Sequence, residues 1–279
     1  MANWKNAGSI SRTTPATEAV PDGLTVIAIA IIATACASVI HEGIGHGGAC
    51  LLTNGHPLAL SSVFFNCQRE ERLVDAGGTI ANVVAGLLFF AASRCVTHST
   101  RVRYFLWLSM TINVFEAAGY FLFSGVANIG DWAAFIKGLQ PPWLWHAGMA
   151  VFGAVSYFLV ARFAMIEMRP FLGSNREERS RRARKFNFTA YFAGGVLSCI
   201  AGLFNPVGMI LIAISAAAAS FGGTSGFLWM GLLLRGRQIP PGDFEMPPLT
   251  RSRGWIVVGA LVAVAFIAVL GPGLKFQPR

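Results

Sequence analysis

The stretch that decides how this chain is read is Ser38-Val39-Ile40-His41-Glu42-Gly43-Ile44-Gly45-His46. It closes an apolar run, Leu24 to Ile40, that carries no charge. Two imidazoles and a carboxylate are costly at the edge of hydrocarbon, so ionisable groups clustered there point to function. Two neutral imidazoles suit a zinc ion, and a glutamate beside them suits a general base acting on bound water. The familiar spacing puts such histidines four apart, on one helical face. Here they are five apart. Five residues advance a regular helix by about 500°, which leaves the second ring roughly 140° from the first. A single π-bulge, whose turn closes from i to i+5, restores the alignment. Gly43 and Gly45 make that distortion cheap, because glycine has no side chain to clash. The alternative is two interfacial histidines and a glutamate facing water at a helix end.

The rest of the chain supplies the membrane. Of 279 residues, 54% are hydrophobic and 13% charged, against about 25% charged in a soluble domain. Apolar runs of spanning length cover Leu24–Leu52, Asp75–Val96, Tyr104–Val126, Trp143–Met165, Phe188–Phe204, Val207–Leu234 and Trp255–Leu270. The expected fold is all-α: a polytopic transmembrane bundle of seven helices, or six if Phe188–Leu234 is counted differently around Asn205-Pro206. A polar N-terminal segment, residues 1–23, precedes one transmembrane domain, residues 24–279, and no cleavable signal peptide is expected. Five cysteines, none in a Cys-x-x-Cys pair, argue against a cysteine-rich zinc module. The formal net charge of +9 falls in short segments between apolar runs, where it sets orientation rather than marking a nucleic-acid partner. Membrane lipid is the expected surrounding partner.

The stretch from Arg169 to Lys185 reads as a strongly basic loop. If it is cytoplasmic, alternation puts 17 of the 22 basic residues inside, together with the N-terminus. The expected location is a bacterial inner membrane. In that arrangement His41 and His46 lie at the outer end of the first run. Asn82 lies in the outer half of the second, Asn113 and Glu116 lie mid-membrane in the third, and Asn128 and Asp131 lie at its outer end. His146 opens the fourth run on the same side. Several metal-capable groups therefore share one layer.

Three local patterns add to this. Gly78 and Asn82, four apart, put a small residue and an amide on one helix face, where another helix can approach; packing alone is the competing explanation. Asp131, in Ser124-Gly125-Val126-Ala127-Asn128-Ile129-Gly130-Asp131-Trp132, completes two histidines and one carboxylate, with the fourth zinc position left to water. It also suits an N-cap for a short helix from Trp132. Glu116 is the rival ligand, or a structural hydrogen-bonding group. Between the first two runs, Leu58–Phe65 is partly β-branched and aromatic, and reads either as a hairpin strand or as an interfacial loop. His56 and His146 read as interfacial residues, either of which would suit an oxyanion or a bound substrate. Cys50 and Cys67 flank the linker on the outer side, where an oxidising medium allows a disulfide. Cys36, Cys95 and Cys199 are expected to be free.

His41-Glu42…His46 resembles the His-Glu-x-x-Gly-His motif of dipeptidyl-peptidase III-like zinc peptidases. Taken with Gly78…Asn82 and Asp131, it resembles the site-2 protease family of intramembrane zinc metalloproteases. The resemblance runs in order over residues 24–135. It implies a metalloprotease core there with accessory helices over 136–279, zinc on His41, His46 and Asp131, and Glu42 as the catalytic base. Gly78, Asn82, Glu116, Asn128 and His146 would support site or substrate, and the hairpin would present a transmembrane peptide as an added strand. Three departures stand: the five-residue spacing, Gly-Asp-Trp where the family has Leu-Asp-Gly, and a site near the outer face. Two other functions fit the same residues. One is a zinc-dependent hydrolase of a lipid or lipid-linked amide. The other is a transporter or scaffold whose polar path these side chains line.

Overall fold

Asp22 starts the first helix. Its carboxylate accepts from the Thr25 backbone N–H at 2.9 Å and from the Thr25 hydroxyl at 2.8 Å, satisfying donors that a helix start leaves open. The computed structural model describes residues 20–69, 71–173, 175–206, 208, 212–234, 239–240, 242 and 244–277. Residues 1–19, and with them the polar N-terminal segment, lie outside these, as do Val207 and the basic pair Arg235 and Arg237.

Among the described residues seven helices are long and apolar enough to cross a membrane, and the fold is all-α at 74% helix. They are α1 (Gly23–Leu52), α2 (Arg72–Cys95), α3 (Thr100–Ala127), α5 (Pro142–Phe171), α6 (Arg176–Leu203), α7 (Ala216–Leu234) and α8 (Arg253–Leu270). A short helix, α4 (Asp131–Phe135), follows α3. The backbone of α6 turns out of its helix at Phe204 and Asn205, ahead of Pro206, so the fifth and sixth apolar runs are separate helices.

Without a strong hydrophobic drive between helices in lipid, close backbone approach at small residues does much of the packing. A Cβ on Gly153 of α5 would lie 2.3 Å from the Leu122 nitrogen of α3, and one on Gly259 of α8 would lie 2.7 Å from the Ala28 Cβ of α1. The core between these contacts is aromatic: Tyr104, Phe115, Phe186 and Phe227 are fully buried. The Trp107 indole donates to the Ala164 carbonyl, tying α3 to α5 at 3.0 Å.

The stretch from Arg169 to Lys185 is not a loop. Arg169–Phe171 is a single turn of 3₁₀ helix closing α5, and α6 begins at Arg176. The local chemistry explains the difference. Asn175 accepts from the Glu177 N–H at 2.9 Å, and Glu177 and Glu178 occupy the first turn, where the helix dipole favours negative charge. Arg182 then pairs with Glu178 one turn away, and with Glu245 at 3.0 Å. Nearby, Arg101 donates to Thr250 and Arg94 pairs with Glu167. The basic segments therefore gather at one end of the bundle.

The opposite end carries a small sheet. β1 (Pro57–Leu60) and β2 (Phe65–Cys67) form the hairpin. A third strand, β3 (Leu274–Lys275), pairs antiparallel with β1, a partner that the apolar pattern does not announce. The order β2-β1-β3 leaves β2 at an edge. Cys50 and Cys67 are joined in a disulfide with Cα atoms 5.9 Å apart, pinning the end of α1 to β2. Cys36, Cys95 and Cys199 are free.

A thiol reagent applied to the folded protein should modify the exposed Cys95 and spare Cys50 and Cys67 until a reductant is added, after which mass spectrometry should count two further labelled thiols. Replacing the pair by serine should lower stability by about 2–4 kcal/mol, read from denaturation in detergent.

Candidate metal centre

The middle of α1 is a π-helix, Val39–His46. Its wider turn brings residues five apart to one face, so the rings of His41 and His46 meet edge to face with centroids 4.8 Å apart. Their Nε2 atoms are 3.2 Å apart. Asp131 arrives from the other side, with Oδ2 3.1 Å from His41 Nε2 and 3.4 Å from His46 Nε2. One ligand atom from each of the three residues falls within 4.8 Å of the others.

Asp131 reaches this point through a specific turn. Asn128 ends α3 in the left-handed conformation, at φ 54°, and Gly130 follows at φ 91°. The second angle is one that only glycine adopts readily. The chain then doubles back, and α4 docks through Trp132, whose indole stacks on Phe121 at 4.2 Å and donates to Thr79 Oγ1 at 3.0 Å. Burial alone would raise the Asp131 carboxyl; the hydrogen bonds to His41 and His46 outweigh it and hold the group below the usual carboxylate range.

The rings are held from behind as well. His46 Nδ1 lies 2.6 Å from the Val74 carbonyl, which only accepts, so Nδ1 donates to it; a neutral His46 would then offer Nε2 to the shared point. Tyr120 stacks on His41 at 4.7 Å. His41 Nδ1 lies 3.1 Å from the Asn82 amide nitrogen, which also donates to Glu116 Oε2 at 3.2 Å. Glu116 therefore does not point at the shared point, and Asp131 is the third ligand-capable group. His41, Glu42 and His46 are all buried, at 3%, 6% and 7% exposure.

A metal ion fits this place by two tests. The donor set is two imidazole nitrogens and one carboxylate, a combination that binds zinc and leaves one position open. The space is also kept clear: a Cβ on Gly78 would lie 2.5 Å from His41 Cε1 and Nε2 and 2.6 Å from His46 Nε2. Gly45 and Gly77 serve the same contact, since a Cβ on either would strike the other helix's backbone at about 2.5 Å.

Glu42 borders a cavity of about 910 Å³ that also touches His46 and Asp131. Its walls are mostly apolar and include Phe65 of the hairpin, Gly119 and Tyr120 of α3, and Tyr157 of α5. Glu42 also borders a second, smaller cavity whose lining includes Ser38, Ser62, Glu116, Ser198 and Ser220 among apolar groups.

Two expected supporting residues lie elsewhere. Asn128 is exposed and serves as the C-cap of α3, because the left-handed turn needs a residue that tolerates positive φ. His146 packs at the α3–α5 contact, where its carbonyl would lie 2.9 Å from a Cβ on Gly125, and it lines neither cavity. His56 is exposed in the linker. Sequence reasoning missed Tyr120, Trp132 and Thr79. Tyr120 had a signal: it stands four residues after Glu116, on the same helical face.

No family model, curated protein or solved structure matches the chain.

Gly78→Ala should weaken metal binding by at least about 10-fold, the loss typical of a displaced supporting contact, measured by chelator competition on the purified protein. Asp131→Asn should also weaken it, while leaving the Cys50–Cys67 disulfide intact.

Proposed function

We propose that this chain is a membrane-embedded zinc hydrolase that cleaves a peptide bond of a membrane-resident substrate. The observation that carries the reading is the convergence of His41, His46 and Asp131 on one point, with Glu42 beside them on the wall of an apolar cavity. A zinc ion held by the three would supply Lewis acidity and an open coordination position. Glu42 would take the proton of the attacking water and hold it for the departing amine. It adjoins a ligand without being needed as one, and burial keeps competing solvent from it.

The hairpin supports a peptide over a small molecule. β2 is an edge strand and Phe65 lines the cavity. An extended segment laid along β2 would add a strand and pass beside Glu42. The mostly apolar walls favour a second reading, a lipid or lipid-linked amide as substrate. Offering transmembrane peptides and amide-bearing lipids to the reconstituted protein, with products read by mass spectrometry, separates the two.

The site is assigned to the outer end of the bundle, with the basic end cytoplasmic. The gathered arginines follow the charge bias of cytoplasmic segments. The Cys50–Cys67 disulfide belongs in an oxidising compartment, and it lies at the end that carries the site.

Glu42→Gln should retain one zinc per chain by elemental analysis and lose turnover; an active Glu42→Gln enzyme would remove this mechanism. A reporter fused after Lys185 should be active only in the cytoplasm, and activity outside would reverse the orientation.

A further inference from the structure

At the basic end of the bundle several arginines already have a protein partner. Arg94 pairs with Glu167, Arg182 with Glu178 and Glu245, and Arg101 donates to Thr250. Arg103 donates to the Val96 carbonyl and lies over the Phe244 ring at 4.7 Å. Arg251 and Arg253 differ. Both are exposed, and neither has an acceptor among the described residues. Together with Ile256 and Val257 they line an open groove of about 470 Å³.

The groove sits where two spanning helices begin. The Ser252 N–H donates to Thr25 Oγ1 at 3.0 Å, and the Asp22 N–H donates to the Leu249 carbonyl at 2.9 Å. These bonds hold the start of α8 level with the start of α1. Trp255, partly buried against the Phe105 ring, is a residue type that favours the membrane interface. Beyond the groove α8 lies mostly outside the bundle. Val257, Leu261 and Val264, four and three apart on one helical face, are all more than half exposed.

Two unengaged guanidiniums therefore stand at headgroup level above an aliphatic stripe. A guanidinium matches a phosphate through two parallel N–H bonds, and the stripe matches an acyl chain. The local charge also favours an anion. The carboxylate in the field of Arg251 is Asp22, which is engaged by Thr25 and also feels Lys185. Arg251, Arg253 and Lys185 against Asp22 leave the neighbourhood positive.

We propose that this groove binds the phosphate of an anionic phospholipid, with Arg251 and Arg253 on the headgroup and Ile256 and Val257 against the start of an acyl chain. The site lies at the end of the bundle opposite the metal centre. It depends neither on the zinc reading nor on the orientation of the chain in the membrane.

The test uses the full chain in detergent. Phosphatidylglycerol and phosphatidylcholine of equal chain length are titrated in, and bound lipid is counted by native mass spectrometry. The wild type should retain one phosphatidylglycerol in preference to phosphatidylcholine. Each cation near a membrane surface strengthens the hold on an anionic lipid about fivefold. Arg251→Gln/Arg253→Gln should therefore weaken phosphatidylglycerol binding about 30-fold and leave phosphatidylcholine unchanged. Both side chains are exposed, so the fold should survive, checked by the Cys50–Cys67 disulfide and a monodisperse profile. Arg176→Gln/Arg184→Gln removes the same charge from exposed positions at the same end, and should cost less than about twofold, because charges that do not touch the lipid are screened. Equal losses in the two variants would reduce the effect to net charge and overturn the site. So would unchanged phosphatidylglycerol binding in Arg251→Gln/Arg253→Gln, or equal retention of the two lipids by the wild type. Inorganic phosphate at the same concentration should not displace the lipid. Displacement would mean that the aliphatic floor contributes nothing, and would overturn the assignment to a phospholipid.

Discussion

A regular helix advances about 100° per residue and cannot bring residues five apart to one face. The rest of this site depends on the one departure from that rule, the π-helical stretch Val39–His46. It is stable here because its surroundings are built around it. Gly45 meets Gly77 and Gly78 backbone to backbone, closer than any side chain would permit. The same contact delivers the Val74 carbonyl to His46 and opens the space beside Gly78 into which both rings point. Remove the wide turn and His46 leaves the shared point, whatever Asp131 does.

The polar groups are ordered by how much freedom each is left. His46 is anchored to backbone, the least adjustable partner in a protein. Asp131 is set by a two-residue turn at positive φ and by the docked Trp132. His41 leans on side chains alone, with Tyr120 on its face and Asn82 at its back. A buried network of this kind is stable only when its members are satisfied, and the unpaired Asn82 carbonyl marks where it is not.

Much of this was legible in the sequence, for identifiable reasons. Spanning helices need about 20 apolar residues, and that signal survives any detail of packing. The five-residue spacing of His41 and His46 demanded either a π turn or no site, and Gly43 and Gly45 made the first affordable. Asp131 was legible through depth, order along the chain and chemistry together, since it completes two histidines with a carboxylate in the same layer. The basic stretch Arg169–Lys185 was misread as a loop because charge density resembles solvated coil. What makes its latter part helical is an Asn cap and the pairing of Arg182 with Glu178 and with Glu245, which is distant in sequence. β3 was hidden because two residues carry no periodicity. Asn128 and His146 were drawn to the site by their depth, but depth is one coordinate of three. Asn128 caps a helix, and His146 packs at the α3–α5 contact.

The Cys50–Cys67 bond has a mechanical meaning beyond its contribution to stability. It joins the last turn of the ligand-bearing helix to the strand whose Phe65 forms one wall of the cavity. β3 braces the other side of the same hairpin. The two candidate ligand histidines and the hairpin wall are therefore joined covalently on one side of the cavity. The opposite wall is held by other contacts: Gly119 of α3 faces Gly223 of α7, and the Tyr157 hydroxyl donates to the Gly223 carbonyl at 2.7 Å.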